Sequence, residues 1–190
     1  QVDLITGFLG SGKTTFLRVL LGELPAEGKI KFGPSVKSGY LPQVIHFAHP
    51  ERTLYDTMLY EKNCTPQTAR DRLGAFLFSG EDVFKTVGTL SGGNQQKIVV
   101  ARELDRGCRM LIAAQPTRGV DIASADYIQG RILAAAEQGC AVLLISSDLD
   151  ELIKVSDRIM VLFRGQIMGF VDADNATREA LGRMMLGEAH

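Results

Sequence analysis

The 190-residue chain has no tryptophan, only three cysteines and no excess of charge of either sign. Its cysteines are widely spaced and form no Cys-x-x-Cys pair, so the sequence predicts neither a disulfide framework nor a zinc site and favours a reducing compartment. With 21 Lys+Arg against 22 Asp+Glu, the net charge of -1 indicates no basic patch for nucleic acid and no attraction to a membrane surface. The longest apolar run, at 140–146, is far shorter than the roughly 20 residues that span a bilayer.

The composition that remains is that of an ordinary globular protein. Hydrophobic residues make up 45% of the chain and charged residues 23%, and glycine occurs 20 times. These proportions exclude a disordered, collagen-like or coiled-coil chain. The length fits one domain, or one domain with a small insert, and is sufficient for a buried core.

The second half of the chain alternates predicted helices with predicted strands. Helices over 93–104, 123–138 and 149–154 precede apolar strands at 110–114, 141–146 and 158–162. A hairpin is predicted to join 158–162 to 166–171, and a terminal helix covers 177–186. This alternation predicts an α/β fold with a mostly parallel sheet that helices cover on both faces.

The first half is more varied. A short apolar run at 2–5 predicts a strand, and apolar residues on one face predict a helix over 13–21. The Gly- and Pro-rich segment 27–43, with β-type runs at 30–32 and 38–41, predicts a small hairpin region. Helical spacing with many charges at 53–60 and 68–78 predicts a small helical insert over about 50–87.

Residues 7–14 read Gly-Phe-Leu-Gly-Ser-Gly-Lys-Thr and lie between the first predicted strand and helix, so they fit the pattern G-x-x-x-x-G-K-[ST] in its structural context. Gly7, Gly10 and Gly12 let the backbone curl so that its N–H groups point at phosphate oxygens. The helix N-terminus adds the positive end of its dipole. Lys13 supplies a charge between the terminal phosphates, and Thr14 offers its hydroxyl to Mg2+. The predicted phosphate-binding residues are Gly7, Gly10, Ser11, Gly12, Lys13, Thr14 and Thr15.

A phosphate loop alone does not choose between ATP and GTP. A GTP-binding metallochaperone can carry a similar Gly-Phe-Leu-Gly-Ser-Gly-Lys-Thr-Thr run. Such proteins also need a guanine-reading Asn-Lys-x-Asp, and no such tetrapeptide occurs in the chain. ATP is therefore the favoured nucleotide.

Residues 90–97, Leu-Ser-Gly-Gly-Asn-Gln-Gln-Lys, resemble the signature of ATP-binding-cassette (ABC) ATPases. Ser91 and the bare amides of Gly92 and Gly93 would lie at the start of a helix, where a phosphate is readily bound. The resemblance implies that this surface faces the γ-phosphate held by the other cassette of a dimer.

Two further segments resemble elements of the same family. Residues 40–43, Tyr-Leu-Pro-Gln, are similar to the Q-loop, and the resemblance implies that Gln43 contacts Mg2+ and the attacking water. Residues 115–121, Gln-Pro-Thr-Arg-Gly-Val-Asp, resemble the segment after Walker B with the D-loop, which implies that Asp121 lies at the dimer seam.

The resemblance covers essentially the whole chain. It implies a P-loop NTPase fold of the ABC type, with one nucleotide-binding domain over 1–190 and a helical subdomain insert at 50–87. ATP and Mg2+ are the implied cofactors, with Thr14 and Gln43 as metal-holding residues. We also expect the chain to be a piece of a longer protein, truncated at its N-terminus, with the adenine-stacking residue upstream of Gln1.

The sequence departs from an active cassette at three positions. Ala114 stands where the Mg2+-orienting aspartate belongs, and Gln115 stands where the catalytic glutamate belongs. Ser147 stands at the position of the switch histidine. A glutamine can hold a water but cannot take its proton, and loss of a general base costs about 10²–10⁴ in rate. We expect a site that binds nucleotide and hydrolyses it poorly, with Gln115 and Ser147 as degenerate catalytic positions.

The two halves of the chain resemble different branches of the family, with the change near Leu90. Residues 90–97, 113–121 and 145–151 resemble the degenerate second cassette of sugar and nucleoside importers. That resemblance implies a second cassette as homo- or heterodimer partner, membrane permease subunits, and a cytoplasmic location at the inner face of the membrane.

Residues 34–43 and 75–88 resemble instead the C-terminal cassette of ABC-F proteins. That resemblance implies a soluble translation factor with the ribosome as partner. A third hypothesis is a plain nucleotide-binding module that forms no productive dimer. The importer cassette is the first hypothesis, because the importer-like second half of the chain stands against the ABC-F alternative.

Overall fold

The computed structural model describes residues 2–6, 11–34, 36–62, 64–104 and 108–188. Within these ranges the α-helices and strands alternate through most of the chain, and short 3-10 helices occur at Gly80–Phe84, Val87–Thr89 and Ala173–Asn175. The elements in chain order are β1 (Val2–Thr6), α1 (Lys13–Leu20), β2 (Ser38–Leu41), α2 (Leu54–Lys62), α3 (Pro66–Ala75), α4 (Gly92–Leu104), β3 (Met110–Ala114), α5 (Ile122–Glu137), β4 (Ala141–Ile145), α6 (Leu149–Val155), β5 (Arg158–Phe163), β6 (Gln166–Asp172) and α7 (Arg178–Met185).

The strands form one sheet in the order β2-β3-β4-β1-β5-β6. The pairs from β2 through β5 are parallel, and β6 is antiparallel to β5. The predicted α/β fold with a mostly parallel sheet is therefore confirmed, as is the hairpin that β5 and β6 form. Crossover helices join the parallel strands, as that pairing requires.

Side chains alternate between the two faces of the sheet. On β3, Leu111 and Ala113 pack into the larger core cluster, which also contains Ile98 of α4 and Ile128 of α5. Ile112 and Ala114 of the same strand pack with Leu17 of α1 in the smaller cluster. Helices thus cover both faces, which explains why the strands are nearly continuous apolar runs.

The hairpin predicted over 27–43 is wrong. Of its two strand-like runs only 38–41 forms a strand, and that strand, β2, pairs in parallel with β3. Ile30 and Phe32 are 48% and 40% exposed, so the first run has no buried face that would fix a register. The pattern of residue types favoured a strand there, and the absence of apolar packing overrides it.

Two helices occupy the segment in which a small helical insert was predicted. At the start of α3 the Thr65 hydroxyl accepts a hydrogen bond from the Thr68 N–H at 3.2 Å, and a proline occupies the first turn. Leu54, Met58 and Leu73 from these helices are buried in the larger core cluster. Whether 50–87 is a subdomain in its own right stays a prediction.

The first turn of α4 lies directly against the N-terminus of α5. The Asp121 carboxylate caps α5, accepting hydrogen bonds from the Ser124 N–H at 2.9 Å and from the Ser124 hydroxyl at 2.7 Å. A methyl group on the Gly93 Cα would lie 2.9 Å from the Ser124 hydroxyl oxygen and 3.0 Å from an Asp121 carboxylate oxygen. The approach of the two helices therefore depends on the missing side chain at position 93.

A pair of isoleucines on α5 tests the packing of this helix. Ile128 is fully buried and Ile122 is 83% exposed. We expect Ile128→Ala to lower the free energy of unfolding by about 2–5 kcal/mol, because it leaves a cavity in the core. The matched control Ile122→Ala is expected to change it by less than about 0.5 kcal/mol. Urea unfolding followed by circular dichroism measures both, and equal losses would contradict this packing.

The two signature glycines provide a second matched pair. We expect Gly93→Ala to cost about 1–3 kcal/mol of unfolding free energy, because the new methyl displaces the Asp121–Ser124 cap. At Gly92 an added methyl meets nothing closer than the Gly119 carbonyl oxygen at 3.8 Å, so Gly92→Ala should be neutral or slightly stabilising. The same urea titration distinguishes them, and a Gly93→Ala variant as stable as Gly92→Ala contradicts the close approach.

Candidate functional site

A cavity of about 430 Å3 lies at the sheet edge where the parallel strands β1, β3 and β4 end. In parallel sheets the carboxyl ends of neighbouring strands meet at one edge, and ligands bind there. The cavity is lined by Ser11, Gly12, Lys13, Thr14, Thr15, Gln43, Gln115, Thr117, Arg118, Ser146, Ser147, Asp148 and Glu151.

The cavity brings together most of the predicted site. The described part of the phosphate loop, residues 11–15, meets Gln43 from the end of β2 and the two degenerate positions Gln115 and Ser147. Gly7 and Gly10 lie outside the described residues. Segments more than 100 residues apart in the chain thus line one space.

The end of the phosphate loop is held in place by the turn between β5 and β6. Gly12 has a φ of 100°, a left-handed conformation that glycine adopts without strain, and it immediately precedes α1. The Gly165 N–H donates a hydrogen bond to the Ser11 carbonyl at 2.8 Å. A methyl on the Gly12 Cα would lie 3.1 Å from the Gly165 Cα, so the two backbones touch.

Two polar groups of this loop suit an anionic ligand. Burial lowers the pKa of the Lys13 ammonium, because desolvation disfavours its charged form, and a nearby anion would favour that form again. The Ser11 hydroxyl oxygen is buried and has no hydrogen-bond partner among the described residues. A buried hydroxyl of this kind is costly unless a ligand or water satisfies it. A phosphate group fits both requirements.

At the ends of β3 and β4, positions 114 and 115 carry no acidic residue and position 147 carries no histidine. Ala114 is buried in the smaller core cluster at the end of β3. Gln115 follows with a φ of 51°, which is unusual for a residue with a side chain, and its N–H donates to the Ile145 carbonyl at 2.7 Å. Backbone conformations of this kind often occur at functional sites. Gln115 and Ser147 both line the cavity.

Sequence reasoning missed five further lining residues, namely Thr117, Arg118, Ser146, Asp148 and Glu151. Glu151 is buried and its carboxylate accepts a hydrogen bond from the Thr117 hydroxyl at 2.7 Å. The Asp148 carboxylate caps α6 by accepting from the Asp150 N–H at 2.9 Å. Both carboxylates therefore have local hydrogen-bonding partners. The Ser-Ser-Asp run after a strand and before a helix was the sequence signal that could have located Ser146 and Asp148.

The predicted signature residues lie outside this cavity. Ser91 and Gly92 are exposed at the start of α4, and Gly93 is buried against the Asp121–Ser124 cap. The backbone N–H and the hydroxyl of Ser124 lower the pKa of the Asp121 carboxyl, which is thereby held in its anionic form as a helix cap. The predicted site residues thus lie in two separate places, the cavity and the start of α4.

In the part of the chain that the structure describes, every helix is too short or too polar to cross a lipid bilayer.

Curated relatives of the chain are import ATP-binding proteins. A nucleoside import ATP-binding protein of Lactococcus lactis subsp. cremoris is 45% identical over 119 residues, covering 63% of this chain and 24% of the relative. A guanosine import ATP-binding protein of Bacillus subtilis is 42% identical over 106 residues, which cover 56% of this chain and 21% of that relative. A third relative is a Pseudomonas syringae pv. tomato protein, provisionally described as a ribose/galactose/methyl galactoside import ATP-binding protein. It is 32% identical over 210 residues, which cover 96% of this chain and 40% of that relative. The chain thus spans less than half the length of these relatives.

Solved structures share the fold at low sequence identity. The ATP-binding subunit of an ABC transporter superposes with a TM-score of 0.80 at 18% identity, over 98% of this chain and 88% of that one. A dimeric ATP-binding cassette in a post-hydrolysis state, bound to ADP and Pi, superposes with a TM-score of 0.71 at 19% identity, over 90% of this chain and 84% of that one.

The family model described as ABC transporter matches residues 1–118, which are more than half of the chain. The matched range includes the described phosphate-loop residues, Gln43, the signature and Gln115. Together with the sheet order and the cavity at its carboxyl edge, this match identifies the chain as a member of the ABC transporter family, with the nucleotide-binding fold of its ATP-binding cassettes.

Proposed function

We propose that this chain is an importer-type ATP-binding cassette that binds MgATP, dimerises in response, and has little or no ATPase activity of its own. The observation that carries the proposal is the composition of the cavity. It joins the described phosphate-loop residues 11–15 to Gln115 at the end of β3, where an active cassette would carry its catalytic carboxylate. Binding and hydrolysis depend on different residues, so a cassette can keep the first and lose the second.

The phosphate side of the cavity supports MgATP binding. The half-buried Lys13 ammonium and the unsatisfied Ser11 hydroxyl lie at the N-terminus of α1, where the helix dipole favours negative charge. Thr14 and Gln43 line the same space and carry the oxygen atoms that would hold Mg2+. When bound, Mg2+ would offset the charge of the terminal phosphates.

The opposite side of the cavity supports weak hydrolysis. The Gln115 amide can position a water by hydrogen bonding but cannot accept its proton at neutral pH. Glu151 is the buried carboxylate of the lining, and it is engaged by the Thr117 hydroxyl at 2.7 Å. Asp148 is engaged as a helix cap. Neither carboxylate occupies the end of β3, where the catalytic base of an active cassette would follow the strand.

The exposed start of α4 supports a second cassette as partner. Ser91 and Gly92 are exposed, and the first N–H groups of a helix have no partner within the helix, so this helix start suits a phosphate that a partner holds. The relatives named as import proteins support a sugar- or nucleoside-type solute, membrane permease subunits, and a position at the cytoplasmic face of the membrane. The likeness of 34–43 and 75–88 to ABC-F proteins stays a prediction, since no observation on the described residues favours a ribosome partner.

Removal of the phosphate-loop cation tests nucleotide binding. We expect Lys13→Ala to raise the Kd for MgATP by at least about tenfold, because a hydrogen bond to a charged group contributes about 1.5–3 kcal/mol. Lys85→Ala is the matched control, since Lys85 is exposed, pairs with Asp82 and lies outside the cavity. Isothermal titration calorimetry measures both, and equal affinities for the two variants would refute the binding site.

Restoration of the acidic residues tests the loss of hydrolysis. We expect near-zero MgATP turnover in the unmodified chain and an increase of at least about tenfold in the Ala114→Asp/Gln115→Glu double variant, within the 10²–10⁴ range of a general base. A coupled assay of phosphate release gives the rate. The control variant Ala114→Asn fills similar space without adding an acid and should stay inactive.

Ala114 is buried, so the double variant can lose stability. Gln115→Glu alone is therefore assayed beside it. Circular dichroism first confirms that both variants are folded. Substantial turnover in the unmodified chain would mean that another residue acts as the base. That result would overturn the degenerate-site proposal while leaving nucleotide binding intact.

A further inference from the structure

Two cysteine thiols meet at the edge of the sheet opposite the nucleotide cavity. Cys108 lies just before β3 and Cys140 just before β4, and their Sγ atoms are 3.3 Å apart. Both are free thiols. In the parallel register Met110 pairs with Ala141, whose N–H donates to the Arg109 carbonyl at 2.9 Å. The strand pairing itself therefore places the two sulfurs side by side.

The surroundings of the pair distinguish it from the third cysteine. Cys140 is only 5% exposed and Cys108 is half-buried. Both cysteines line a cavity of about 370 Å3, together with Leu104, Arg109 and Gln138 among others. Cys64 lies elsewhere, with its thiol donating to the Met58 carbonyl at 3.4 Å. A small reagent thus has access to a thiol that already has a second thiol as its neighbour.

We propose that Cys108 and Cys140 are a redox modification site, which forms an intramolecular disulfide by exchange with a low-molecular-weight disulfide. The geometry supports this assignment. Cys108 and Cys140 precede neighbouring parallel strands, and their Sγ atoms are 3.3 Å apart. Adjacent strands lie about 4.8 Å apart, a spacing within the Cα–Cα range of about 4.4–6.8 Å that disulfides use. Rotation of the two side chains has to shorten the Sγ–Sγ distance to about 2.05 Å.

The exchange proceeds in two balanced steps. The Cys108 thiolate attacks one sulfur of the reagent RSSR, forming the mixed disulfide Cys108–S–S–R and releasing RS⁻. Cys140 then loses its proton and attacks the Cys108 Sγ, which forms the protein disulfide and releases the second RS⁻. The protein loses two protons and two electrons, and RSSR is reduced to two RSH.

The order of attack follows from burial. Desolvation, together with the hydrogen bond to Cys108, raises the pKa of the Cys140 thiol above its ordinary value, so this thiol is protonated in the resting protein. Cys108 is the more exposed of the two and is reached first from the cavity. Once Cys108 carries the leaving group, the adjacent Cys140 sulfur completes the exchange within the chain.

The site is tested by treating the native chain with oxidised glutathione, alkylating the remaining thiols and mapping peptides without reduction. We expect a peptide linked through Cys108 and Cys140, no lasting glutathione on either residue, and alkylation of Cys64. The linked form should appear at a glutathione disulfide concentration at least about tenfold lower than in the urea-unfolded chain, because folding raises the effective concentration of one thiol at the other.

Three variants serve as matched controls. Cys140→Ala should trap glutathione on Cys108, and Cys108→Ala should leave Cys140 unmodified because its thiol is buried. Cys64→Ser should form the linked peptide like the unmodified chain. Circular dichroism confirms that each variant is folded before oxidation.

Lasting glutathione on Cys108 of the unmodified chain, or linkage that requires as much oxidant in the folded as in the unfolded chain, would overturn the proposal. So would a linked peptide that contains Cys64. None of these readouts involves ATP, so they are independent of the nucleotide-binding proposal.

Discussion

The parallel pairing of β4 with both β3 and β1 is the constraint on which the site depends. The three strands run in the same direction, so the loops that follow them emerge at one edge of the sheet. That edge gathers the start of α1, the residues after β3 and the residues before α6 around one cavity. The same register aligns the starts of β3 and β4 at the other edge, where the two thiols meet. One pattern of hydrogen bonds thus creates both sites.

The polar side chains that line the cavity can be divided into those that favour an anion and those that could act on a water molecule. The cationic side of the cavity includes Lys13 at a helix N-terminus, where the fixed amide dipoles and the ammonium both favour an anion, and Arg118 lines the same space. Its other side presents an amide and a hydroxyl, which hydrogen-bond without accepting a proton from water. The carboxylates that remain hold α6 and Thr117 in place. This lining supports the proposal that the chain holds a nucleotide and hydrolyses it slowly.

Sequence patterns predicted the elements whose signals are local. β3 has the predicted bounds 110–114, and the observed α5 and α7 lie within one residue of the predicted 123–138 and 177–186. The helix predicted over 68–78 is displaced, since α3 begins at Pro66, after the Thr65 cap, and ends at Ala75. The hairpin at 27–43 was mispredicted because residue types alone do not reveal whether a run has a buried face. Glu151 was missed because its role arises from a contact with Thr117, 34 residues away, which no local pattern encodes.

The contact between the phosphate loop and the β5–β6 turn has a consequence for how this protein can vary. Arg164 and Gly165 both have positive φ, 48° and 80°, as in the two-residue hairpin turns whose twist suits paired strands. Gly165 also donates to the Ser11 carbonyl, so the turn is a backbone partner of a loop that lies about 150 residues earlier in the sequence. Chimeras that take the loop from one homologue and the hairpin from another separate the two halves of this contact. Because both partners are backbone atoms, such a chimera keeps the contact as long as position 165 retains its positive φ and position 12 retains a glycine, whose missing side chain permits the close approach.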